Sequence, residues 1–276
     1  MRGMGSGPDG GAGPEGQGGG RVGRPWLIHG AMGALLVTAL GLHLRLDVAL
    51  PAALLTGFLV FVLPFFSVAQ LSAMDDGPMD RPGVYAGSAV VLVLLTMVAL
   101  VVGAFGPGLG SMGLGAVDST ALGVATLRLG AATAGLLLVF HLVAKVARIP
   151  ESDLLKQLLP RTGHERRLFA GLSCLAGFGE EVVFRGFLLA VLTPALGDPW
   201  TALLASSLAF GVLHVYQGSF GILRTAMLGA LLGASVIVDG TLWPAVLVHA
   251  LVDLVGGLVV GPRMVRELEN LPDASG

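Results

Sequence analysis

The order of apolar and polar positions divides the chain into long hydrophobic windows separated by short polar breaks. A helix that crosses a bilayer needs roughly 20 mostly apolar residues. Eight windows meet that pattern approximately: 26–44, 49–71, 84–105, 121–144, 168–192, 200–217, 221–238 and 242–261. Glycine and alanine run through all of them, as close helix contact in lipid requires. Several of the last four are short and closely spaced, joined by turns such as "TPALGDP" and "VDGTLWP", which predicts a compact set of antiparallel helices. The expected fold is all-α, a polytopic membrane helix bundle of about eight transmembrane helices.

The first 24 residues, "MRGMGSGPDGGAGPEGQGGGRVGR", carry almost no apolar side chains. They cannot offset the entropy of ordering, so a disordered tail is predicted. A secretory signal is the competing reading, but the apolar run from Trp26 to Leu44 is long enough to span and lacks an A-x-A site. The predicted organisation is a Gly-rich tail (1–24), four helices (25–147), a basic amphipathic loop (148–167), a second helix bundle (168–262) and a short tail (263–276).

Composition sharpens this picture. The chain has 276 residues, of which 54% are hydrophobic and 12% charged, with a mean hydropathy of +0.83. Water-soluble domains carry about 25% charged residues. Sixteen Lys+Arg against eighteen Asp+Glu leave a formal charge of −2, so nothing argues for nucleic acid as a partner. The position of the cations says more than their number. Arg2, Arg21 and Arg24 precede the first window; Lys145, Arg148, Lys156, Arg161, Arg166 and Arg167 lie between the fourth and fifth; Arg263 and Arg266 follow the eighth. With eight spans all three clusters fall on one side of the bilayer. The positive-inside rule then puts both termini and the basic loop in the cytoplasm, and the loops near Asp118, Asp198 and Asp239 outside. A glycine- and alanine-rich chain without organelle targeting suggests a bacterial plasma membrane.

The loop "RIPESDLLKQLLPRTGHERRLF" sets Leu154, Leu155, Leu158 and Leu159 among charges, a pattern that can lie in the headgroup layer or serve as a plain connector. The single cysteine, Cys174, excludes an intrachain disulfide and reads as a small buried hydrophobe in a helix.

Against this background the stretch "GFGEEVVFRGFLL", residues 177–189, stands out. Burying a charge in hydrocarbon costs at least a few kcal/mol, so an intramembrane ionisable residue is by default a candidate functional group with a partner to be found. Glu181 and Arg185 stand four apart on one helix face and can pair. Glu180 points about 100° away and lacks that partner, leaving it protonated, metal-bound or holding a water, the states of a catalytic base. Two other windows carry matching residues. "LAFGVLHVY" sets Phe210 and His214 one turn apart, and "LWPAVLVHALVDLVGG" does the same for His249 and Asp253. His29, His43 and His141, near window ends, read as packing residues.

The stretches "EEVVFRG", "FGVLH" and "GTLWPAVLVHALVD" together resemble the CPBP family of intramembrane endopeptidases, the CAAX prenyl protease and bacteriocin-processing proteins also called Abi proteins. The resemblance covers about residues 166–260. It implies that Glu180 is the catalytic glutamate and Glu181 the ion-pair partner of Arg185. It also implies that His214 assists the catalytic water while His249 and the residue four later complete the site. That last position is commonly asparagine in the family; here it is Asp253, and an ionised aspartate cannot donate to an oxyanion as asparagine can.

Two mechanisms remain open at this point. Glu180, His214 and His249 could hold zinc with a bound water. Alternatively Glu180 and His214 activate water without a metal, while His249 and its neighbour stabilise the oxyanion. Either way the expected substrate is a membrane-associated peptide or protein. Two readings from other classes compete: a non-catalytic bacteriocin-immunity or scaffold protein, and an ion-coupled transporter with a Glu/His relay. The second predicts inverted repeats, and no such symmetry is visible in the sequence.

Overall fold

A computed structural model describes residues 25–71 and 79–263. The predicted disordered tail (1–24) and nearly all of the C-terminal tail lie outside the described residues. No strand occurs among those described, and the chain is a polytopic helical bundle. Its helices are α1 (Pro25–Leu46), α2 (Leu50–Leu71), α3 (Arg81–Phe105), α4 (Ser119–Ala147), α5 (Asp153–Leu158), α6 (163–196), α7 (Pro199–Leu213), α8 (Gly218–Asp239) and α9 (Trp243–Arg263).

Helix boundaries follow from capping chemistry. The Asp80, Asp118 and Asp198 carboxylates accept backbone N–H groups at the starts of α3, α4 and α7. Thr162 and Glu165 form a capping box that begins α6. Backbone N–H donation from Arg161, then from Thr162, and the nearby Arg81 cation hold the Glu165 carboxyl below its ordinary range. Gly197 and Gly240, at φ 73° and 64°, end α6 and α8 in the left-handed conformation that glycine adopts at least cost.

Among the described residues six helices are long and apolar enough to cross a membrane: α1, α2, α3, α4, α8 with the turn before it, and α9. The predicted count of eight is not reached by this measure, and the two windows that fall short are instructive. Window 168–192 lies inside α6, which at 1.5 Å per residue runs about 50 Å but carries Glu165, Glu180, Glu181 and Arg185. Window 200–217 is cut short because α7 ends at Leu213.

α6 is the central rod, in contact with α3, α7, α8 and α9. Close backbone approach sets its neighbours. A Cβ on Gly177 would fall 2.6 Å from the Cβ of Ala250, so α6 and α9 touch at that level. A Cβ on Gly211 would fall 2.7 Å from that of Ala226, which brings α7 against α8. α1, by contrast, is mostly exposed, as a lipid-facing helix should be.

Both ends of the bundle are covered. At one, the loop after α3 inserts the fully buried Met112 beside Gly103 and Gly186. Gly113 O accepts from Leu242 N at 2.9 Å and Gly115 O from Trp243 Nε1 at 3.1 Å, which pins this loop to α9. At the other end a strap, residues 149–162, crosses from α4 to α6. Arg81 Nε donates to Gln157 O at 2.6 Å, Tyr85 Oη donates to Leu158 O, and Ser152 Oγ donates to Tyr216 O at 2.7 Å. The leucines of this segment, read as headgroup-facing or as part of a plain connector, are half-buried on the bundle, and Leu159 is buried. Cys174, expected to be buried, is exposed on α6. A thiol tolerates a lipid-facing position because it is only weakly polar.

Candidate active site

The site is built on a local break in helical geometry. α6 is regular from Gly163 to Glu180, π-helical over Glu181–Leu188, and regular again from Leu189 to Leu196. The wider turn begins at the paired glutamates, and every residue of the π segment is buried. Such bulges recur at functional sites because they re-aim side chains that a regular helix would direct elsewhere.

Arg185 Nη1 donates to Glu181 Oε1 at 2.8 Å, with neither side chain exposed. The same oxygen accepts His249 Nδ1 at 2.7 Å. An ionised carboxylate can only accept, so Nδ1 carries the proton and the ring is fixed with Nε2 on its far side. That Nε2 faces two further carboxylates, Glu180 Oε2 and Asp253 Oδ2, each at 3.7 Å. Glu180 and Asp253 are partly open, at 23% and 37% side-chain exposure. The contact of Gly177 with Ala250 explains the register, since it brings His249, the residue before Ala250, beside the end of the regular part of α6.

Among the described residues Arg185 is the largest of the fully buried side chains, and glycine makes its room. A Cβ on Gly229 would collide with Arg185 Nη2, and one on Gly233 would lie 3.4 Å from its Cγ. Its Cζ stacks 4.0 Å from the centre of the Phe210 ring. Phe210 also meets His249 edge-on at 6.0 Å and His214 at 4.7 Å between ring centres. One aromatic ring thus separates and positions both histidines.

His214 lies at the end of α7, where the chain leaves helical geometry, rather than inside a span. Its Nδ1 donates to Phe210 O at 2.9 Å, which leaves the lone pair on Nε2. It stands within electrostatic reach of Asp253 and His249.

The structure therefore draws Glu180, Glu181, Arg185, His249 and Asp253 into direct proximity, with His214 joined to them through Phe210. The candidate zinc set of Glu180, His214 and His249 fits less well. Among the described residues no three His, Cys, Asp or Glu side chains form a group that could hold a metal ion. An apolar cleft of about 670 Å3 between α4 and α9, lined by Leu127, Ala131, Leu247 and Leu251 among others, contains none of these ionisable groups.

Sequence reasoning missed the bond between Glu181 and His249, the glycine cradle and the π turn. The glycines in "GALLGAS" were a visible signal for close packing, though not for the side chain they admit.

Fold and site together define a polytopic membrane protein with a buried Glu–His–Arg cluster, partly exposed at Glu180 and Asp253. A family model of type II CAAX prenyl endopeptidases, Rce1-like, matches residues 164–255, which hold all six candidate residues. The match covers a third of the chain; it is consistent with the CPBP resemblance and supports, at family level, a CAAX-protease-type intramembrane endopeptidase. No curated protein and no solved structure matches it.

Proposed function

We propose that this protein hydrolyses a membrane-proximal peptide bond with water activated by Glu180, from the cytoplasmic side of a bacterial plasma membrane. Residues 168–262 carry the chemistry and helices 25–147 frame it. The observation that carries the reading is Glu180 itself. Its Oε2 is buried and makes no hydrogen bond, beside the His249 Nε2, while part of the side chain is exposed. A carboxylate in that state is free to accept a proton.

Glu180 takes a proton from water, with the His214 Nε2 lone pair as a second acceptor. The water oxygen attacks the peptide carbonyl carbon, and the C=O electrons move onto the carbonyl oxygen. In its imidazolium form His249 donates Nε2–H to that oxyanion. Collapse of the tetrahedral adduct breaks the C–N bond, and Glu180 returns its proton to the leaving amine. Glu181 holds His249 through Nδ1, and Arg185 balances the charge of Glu181. No step passes through a metal, because the donor arrangement does not suit one.

Membranes from cells carrying the parent or Glu180→Gln, compared by mass spectrometry of peptide termini, test the proposal. Termini close to membrane segments should be lost in the variant. Identical sets of termini would refute it.

A further inference from the structure

Beyond the cluster around Glu180, the strap places a second ionic feature beside the mouth of the site. Arg224 of α8 holds both oxygens of Glu151, Nη1 to Oε1 at 2.6 Å and Nη2 to Oε2 at 3.2 Å. Its Nη2 also donates to Gln217 Oε1 at 3.2 Å. The pair is partly exposed, at 20% and 28% of the side chains.

A polar path runs from this pair toward the candidate base. Gln217 Nε2 donates to Tyr216 Oη at 3.3 Å, and the Tyr216 ring lies 5.8 Å from that of His214. Tyr216 is within electrostatic reach of Glu180, Asp253 and Arg224. The other charges near this path, Glu180, Glu181 and Asp253 against Arg185 and the His249 imidazolium of the proposed mechanism, still leave an excess of negative charge. Arg185 is occupied by Glu181, and Lys156 of the strap by Asp153. A peptide bearing a carboxylate would be repelled at this mouth unless a cation received it, and Arg224 stands where it could.

We infer that Arg224 is a carboxylate-binding subsite for the substrate, filled by Glu151 of the strap when no substrate is bound. The inference rests on the proposed peptidase reading and adds a substrate class, peptides carrying an acid group near the scissile bond. A guanidinium fork matches a carboxylate through two parallel hydrogen bonds. A partly exposed ion pair is weak in net terms, so one carboxylate can replace another. The substrate acid could be a free C-terminus or an Asp/Glu side chain, which offer the same group.

The test uses full-length protein in nanodiscs and one fluorescein-labelled hydrophobic peptide in four forms: free C-terminal acid, C-terminal amide, amide with an internal Glu, and amide with Gln in its place. Binding is read by anisotropy on Glu180→Gln protein, so the result does not depend on turnover. At least one acid form should bind roughly 10- to 100-fold more tightly than its neutral match, as expected for charge-assisted hydrogen bonds. The form that does so identifies the source of the carboxylate. Adding Arg224→Gln should bring the ratio close to one, and Arg224→Lys should restore part of it. Adding Glu151→Gln, which removes the competitor, should tighten the acid form further. Equal binding of acid and neutral forms, or a ratio that survives Arg224→Gln, overturns the inference. Failure of the parent to cleave any form would count against the peptidase reading and leave the binding ratio to judge the subsite.

Discussion

Removing Arg185 should damage the protein twice. The guanidinium is the charge partner of a carboxylate with no exposed surface, 2.8 Å away. Truncating one member of a buried pair costs about 3–5 kcal/mol, because the other charge stays behind without compensation. Loss of the 4.0 Å stack on Phe210 adds about 0.5–2 kcal/mol. Against a typical stability of about 5–15 kcal/mol, Arg185→Ala should accumulate poorly and melt earlier. The double variant Glu181→Leu/Arg185→Met separates structure from chemistry. Replacing both charges with apolar groups of similar volume is often neutral for stability, so accumulation and melting should recover. Activity should not, because His249 Nδ1 would lose its acceptor and the ring its fixed orientation. The assay pairs thermal melting in detergent with peptide turnover. An Arg185→Ala protein with parental melting and turnover would refute the reasoning, as would a double variant that regains activity.

Three further outcomes follow from the same geometry. Asp253→Asn gives the group beside His249 Nε2 a donor, so turnover should hold or rise, where one oxyanion donor is worth about 100-fold or more; a fall in turnover with recovery on added zinc would instead favour the metal form. Gly229→Ala sets a methyl against Arg185 Nη2 and 3.1 Å from Phe210 Cδ1, which should destabilise by about 1–3 kcal/mol, whereas Gly171→Ala, with nothing within 4 Å, should be neutral or stabilising in a melting assay. Reporter fusions should read cytoplasmic at Lys156 and external at Asp198 and Asp239, and an external Lys156 would turn the mouth of the site to the other face.

Much of this was legible because membrane insertion writes itself into hydropathy and helical pairing into spacing. The windows around α1 to α4, α8 and α9 could be read directly, and the four-residue interval between Glu181 and Arg185 foretold their ion pair. What escaped depends on contacts far apart in sequence. Glu181 and His249 are 68 residues apart, Glu151 and Arg224 73, and Arg128 and Asp239, joined at 2.6 Å, 111. No periodicity encodes such meetings. The π turn at Glu181 was hidden because local composition favours a regular helix there equally well, and burial among neighbouring helices must decide. "LHVY" continues the apolar run and so reads as part of a span, whereas the helix ends at Leu213 and His214 leaves helical geometry. The pattern of the strap left a headgroup-layer segment and a plain connector equally open, because its leucines look alike whether they meet lipid or protein.

The most direct test of the central claim is hydrolysis by purified protein in oxygen-18 water, using a membrane-tethered peptide library with the metal chelated beforehand. The account predicts new C-termini carrying the heavy oxygen, cleavage that persists after chelation, and a loss of about 100-fold or more in Glu180→Gln. Cleavage that ends with chelation, or that continues unchanged in Glu180→Gln, would contradict it.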